Sequence, residues 1–86
     1  MFKSYINVTQ DGVVIIGNAP AGTMNVTLEG ITTAEIGYIT SSGSFHPYAD
    51  GAVTGDGATV VSCGMGTQLA VNVVGAPCKV MTKVVR

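Results

Sequence analysis

His46 is the single histidine of the chain, so any Ser-His-Asp or Cys-His proton relay would have to pass through it. Its surroundings do not support that chemistry. No Gly-x-Ser-x-Gly elbow is present to expose a nucleophile. Cys63 and Cys78 carry no local reactive signature. His46, Asp50 and Asp56 share a Gly-rich stretch and supply donors for at most a weak Ca²⁺ site, but the EF-hand spacing is absent. No Cys-x-x-Cys or His-x-x-x-His pair points to zinc. Gly55-Asp56-Gly57 and Gly64-Met65-Gly66 lack the third glycine of a phosphate cradle, and no Gly-Lys-Ser/Thr step occurs. Five scattered acids give no reason to pair two of them for glycoside hydrolysis. The expectation is no enzyme activity, no metal and no cofactor.

What remains is surface. Asp11, Glu29, Glu35, Asp50 and Asp56 occupy the middle of the chain, while Lys3, Lys79, Lys83 and Arg86 sit at its ends. If the first and last strands are neighbours, these cations form a small basic edge. Such an edge either docks on an acidic partner or guards an exposed strand against aggregation. Phe45, His46 and Tyr48 form the densest aromatic patch, around Pro47. In a loop, such aromatics serve either as contact anchors or as a plug for one end of the fold.

The elements that hold these residues follow from composition and period. The chain has 86 residues, a formal net charge of -1, and 47% hydrophobic residues. It contains 13 Val, 10 Thr and 12 Gly, with no Trp. Val, Thr and Gly are poor helix formers, which excludes a helical bundle. Four cations cannot neutralise many phosphates, which argues against a nucleic-acid partner. The chain is too apolar and too weakly charged for disorder. Its length allows one domain, residues 1–86.

Residues 2–9 alternate like a strand, with Phe2, Ser4, Ile6 and Val8 on one side. Asp11-Gly12 reads as a hairpin turn, and residues 13–16 read as a short strand buried on both faces. Residues 23–29, 34–40, 58–63, 68–74 and 79–85 are further strands. In these, Leu69, Val71 and Val73 point inward, Met24, Val26 and Leu28 alternate with a polar face, Ile36 shares a face with Tyr38, and Val80 and Val84 lie opposite Lys79, Met81 and Lys83. Residues 45–57 read as a long loop or a short weak strand. Seven or eight short strands with tight links predict an antiparallel β-sandwich, either immunoglobulin-like or a compact jelly roll. Sequential strands are expected to pair most often.

The first ten residues hold one cation and no apolar segment of signal-peptide length. No apolar run spans a bilayer. Synthesis and folding in a cytosol are therefore expected, without a membrane partner. Cys63 and Cys78 are expected as two buried free thiols, with a single bridge as the alternative. An all-β chain this short, nearly neutral and without a strong staple, is expected to self-associate.

A Gly-, Thr- and Val-rich β module without signal peptide or disulfide framework suits proteins that fold in a bacterial cytosol and act outside after lysis. On this ground the sequence resembles the small capsid decoration (head-cement) and head-fibre proteins of tailed bacteriophages. The resemblance rests on residues 2–9, on Gly43-Ser44-Phe45-His46-Pro47-Tyr48-Ala49-Asp50-Gly51, and on Cys63-Gly64-Met65-Gly66-Thr67-Gln68-Leu69-Ala70-Val71-Asn72-Val73. It implies a β-sandwich virion protein, often a homotrimer, bound to the major capsid protein or another virion protein and reinforcing the shell. The candidate contact residues are Phe45, His46, Tyr48, Lys79, Lys83 and Arg86. A tail, neck or fibre module of the virion is an alternative, as is a β module that binds carbohydrate or a cell surface.

Overall fold

The structure is a computed structural model and describes residues 4–19, 22–30, 33–64 and 66–85. Eight strands follow in chain order: β1 Tyr5–Val8, β2 Gly12–Asn18, β3 Gly22–Glu29, β4 Thr33–Ile39, β5 Phe45–Thr54, β6 Gly57–Cys63, β7 Gln68–Val74 and β8 Cys78–Val85. They form two four-stranded antiparallel sheets, ordered β1-β8-β3-β6 and β2-β7-β4-β5. The all-β sandwich matches the expected fold class. Pairing the first strand with the eighth, second with seventh, third with sixth and fourth with fifth is the strand order of a jelly roll. It is not that of an immunoglobulin domain.

Alternation drives the two sheets together. Along β3, Met24, Val26 and Leu28 are fully buried while Thr23, Asn25 and Thr27 face out between neighbouring strands. Along β7, Leu69, Val71 and Val73 are fully buried and point the same way. With Ile16, Ile36, Val53, Val61 and Val80 these residues form one core between the sheets. Burying a Val, Leu or Ile contributes about 1.5–3 kcal/mol.

Four sequence expectations are corrected. Asp11-Gly12 is not a hairpin, because β1 and β2 belong to different sheets. The Asp11 side chain instead accepts the N–H groups of Gly75 and Ala76 at 3.0 and 2.8 Å. Sequential strands do not generally pair; β4 and β5 are the one consecutive pair of neighbours among these eight strands. The others cross between sheets, which is how this topology seals its core. Residues 13–16 are not buried on both faces. β2 lies at a sheet edge, and its outward Val13 and Ile15 are 47% and 46% exposed. Of the two readings of residues 45–57, a loop or a short weak strand, the strand holds for Phe45–Thr54 but is neither short nor weak: β5 is ten residues long. Pro47 is accommodated because β5 is an edge strand, where a missing N–H costs no ladder bond. A register shift opposite β4, between Glu35 and Gly37, absorbs the extra residues of β5.

Two glycines make that pairing close. A Cβ at Gly37 would overlap the His46 carbonyl oxygen, and one at Gly51 would overlap the Ile36 carbonyl oxygen. The β4–β5 turn is tied by Thr40, whose N–H donates to the Ser44 carbonyl and whose carbonyl accepts from Gly43, both at 2.9 Å.

Candidate functional site

The aromatic patch is built on the β4–β5 pair. Tyr38 and His46 are direct register partners. Their rings stack at 5.8 Å with planes 21° apart, and Tyr48 tilts against Tyr38 at 5.2 Å. Tyr48 packs on the core, while His46 is exposed. Burial raises the Tyr48 phenol above its ordinary range, with smaller contributions from Cys63 and Tyr38. Phe45 pairs with Ile39 in the neighbouring register row and lies on the opposite face of the sheet from His46 and Tyr48. The three aromatic candidates therefore divide between an end of the sandwich and an outer face.

The cations lie elsewhere. Lys79 and Lys83 are exposed on the outer face of the first sheet. β1 and β8 are neighbours, as the basic-edge argument required, but β8 is an interior strand of its sheet. The two lysines thus mark a face rather than an edge. Lys79 sits in a row with Asn7 and Glu29, and Lys83 pairs with Asn25. Lys3 and Arg86 lie outside the described residues.

A groove of about 500 Å³ opens between residues 7–9, 29–30 and 77–79, with Glu29 and Lys79 among its lining residues. Among the described residues no three His, Cys, Asp or Glu side chains gather to hold a metal ion. Asp56 spends a carboxylate oxygen on the Gly30 N–H at 2.6 Å. The Asp50 carbonyl accepts the Thr59 hydroxyl at 2.6 Å, tying β5 to β6 along one side of the sandwich. Cys63 and Cys78 are free and buried. Cys63 pairs with Gly22 at one end of β3, while Cys78 adjoins the Lys79–Glu29 row at the other. Burial pushes both thiols up, and the Asp11 carboxylate adds to the effect at Cys78.

Sequence reasoning missed the outer face of the second sheet. Val13, Ile15 and Val74 are each about half exposed there. Ile15, Ala70, Gly37 and Pro47 form one row across the four strands, and Val13, Asn72, Glu35 and Ala52 form the next. Glu35 is the one charge in these two rows. The available signal was the apolar run 13–16, whose alternate residues face outward once β2 is placed in a sheet with one uncovered face.

No protein-family model, curated protein or solved structure matches the chain. No helix among the described residues is long and apolar enough to cross a membrane.

Proposed function

We propose that this chain is a non-enzymatic virion structural protein, a decoration or cement protein that binds the outer surface of a phage head. The observation that carries this reading is the contrast between the two outer faces. One sheet presents Lys79, with Glu29 beside it, and Lys83 among Thr and Asn, with Tyr5 and Val60 also exposed; the other presents Val13, Ile15 and Val74 on a face whose two central rows carry Glu35 as their one charge. A small domain with two broad, chemically different faces can touch two neighbours at once. The jelly roll is shared with viral capsid and lectin domains, an analogy of fold that adds modest weight.

The mechanism is attachment by repetition. Each exposed lysine contributes little on its own, on the order of 1 kcal/mol or less against an acidic surface. Icosahedral symmetry repeats the contact over the shell, and each domain that bridges two capsomers turns weak contacts into firm attachment. Lys79 and Lys83 form one contact region, and His46 with Tyr48 at the sandwich end forms another.

The test is co-sedimentation of labelled chain with heads purified from the phage of its source. Hundreds of copies per head are expected. Binding should weaken in the double variant Lys79→Glu, Lys83→Glu, and with added salt. A handful of copies confined to the tail or neck would assign the chain to those parts instead. No attachment, together with binding to immobilised glycans, would overturn the reading in favour of a lectin-like role.

A further inference from the structure

We infer that the outer edge of β2 is a self-association surface, pairing antiparallel with β2 of a second copy about a two-fold axis. This inference stands apart from head binding, since a monomer and a dimer could each attach.

The case begins with the four sheet edges, β1 and β6 in one sheet and β2 and β5 in the other. Exposed edges invite pairing with another chain unless blunted by shortness, Pro, bulges, charge or cover. β5 carries Pro47 and the register irregularity opposite β4. The Thr59–Asp50 bond ties β5 to β6, closing that side. Among the described residues β1 is four residues long. β2, like β6, holds no charge and no Pro over its seven residues, Gly-Val-Val-Ile-Ile-Gly-Asn, but it lacks the cover that β5 gives β6. Among the described residues no strand pairs with its outer edge. Its irregularity lies late, between Ile15 and Gly17, leaving residues 12–15 in regular register.

The chemistry selects a second copy. A two-fold axis brings an edge against itself, so any charge on it would meet its own sign. β2 has none to repel. Centred on Val14, an antiparallel pairing sets Val13 of one copy beside Ile15 of the other on the outer face. Those side chains are the half-exposed ones, and their contact removes the apolar surface from water. The Glu35 carboxylates lie on β4, two strands in from β2. With about 4.8 Å between strands they end roughly 24 Å apart, more than two Debye lengths at physiological salt. The nearer acid, Asp11, already has its carboxylate on the β7–β8 turn. The product is one continuous eight-stranded sheet, closed because the contact is isologous.

Light scattering after size exclusion at about 100 µM tests this. Two copies of the 8.7 kDa chain are expected. Val13→Lys and Ile15→Lys should each weaken the dimer at least about tenfold. Val60→Lys, on an equally exposed residue of the other sheet (46%), should leave it intact. If a β2 variant fails to fold, concentration-dependent hydrogen exchange of the wild-type β2 amides decides. Protection that grows with concentration supports the pairing, and its absence overturns it. A wild-type monomer, a three-copy mass, or a dimer indifferent to both β2 variants would also overturn it.

Discussion

Asp11 and Ala76 are 65 positions apart in the chain, yet the Asp11 carboxylate accepts the Ala76 N–H at 2.8 Å and the adjacent Gly75 N–H at 3.0 Å. One side chain on the β1–β2 corner thereby satisfies two donors of the β7–β8 turn. It fastens together two corners that each cross between the sheets.

Asp11→Ala should lower stability by about 1–2 kcal/mol, since the turn loses both hydrogen bonds to a charged acceptor. In a domain this small that is roughly a 5–15 °C fall in melting temperature. Asp11→Asn keeps a carbonyl acceptor and should lose less. Urea unfolding of the two variants checks the order. Equal losses would mean that the charge rather than the acceptor matters.

Gly37 and Gly51 should resist even the smallest side chain. Each Cβ would run into a backbone carbonyl of the facing strand, and backbone cannot yield as a side chain can. Gly37→Ala and Gly51→Ala should each cost about 2–3 kcal/mol. Gly57→Ala is the control, because its Cβ would meet only Val53 Cγ1 at 3.8 Å, an ordinary contact. It should fall within about 0.5 kcal/mol of wild type. Chemical denaturation of the three variants decides between them.

Stability should decline at alkaline pH. Cys63 and Cys78 have thiols raised by burial, with the Asp11 charge a further cause at Cys78. The folded chain therefore holds these protons more tightly than the unfolded chain does. Their contribution is complete below the unfolded thiol range, about pH 8.5, and is lost as pH rises through the raised folded values. Tyr48, raised chiefly by burial, adds the same trend at higher pH. Urea midpoints from neutral to alkaline pH should show the decline beginning later in the double variant Cys63→Ala, Cys78→Ala. An identical profile would remove the thiols from the explanation.

Strands with strict alternation were legible before any coordinates. β3, β7 and β8 fall within a residue of their expected bounds, and Met24, Val26, Leu28, Leu69, Val71, Val73 and Val80 point inward as the period of two requires. β5 was only half legible, a loop or a short weak strand, because Pro47 and Gly51 are loop signals that an edge position makes tolerable. Residues 13–16 misled for another reason. A continuous apolar run does not reveal whether a second layer covers each face of its sheet, and the outer face around Val13, Ile15 and Val74 stays about half exposed. At the candidate site, the outward direction of Lys79 and Lys83 was legible from β8 alone. Their row partners Glu29 and Asn25 were not, since cross-strand register depends on pairings 50 or more residues apart in the chain. The stacking of Tyr38 on His46 escaped for want of the β5 strand.

The nested pairing has a consequence for how the chain assembles. The Thr40–Ser44 turn closes the β4–β5 hairpin with contacts only a few residues apart. Each further pair, β3 with β6, then β2 with β7, then β1 with β8, joins segments more distant than the last. Loop-closure entropy grows with every layer, so the order of zipping runs from the hairpin outward and the β1–β8 pair docks last. On the ribosome the fold cannot be completed until β8 has emerged. The early hairpin must wait with its apolar face uncovered, which makes the nascent chain rather than the finished domain the stage most exposed to misassociation.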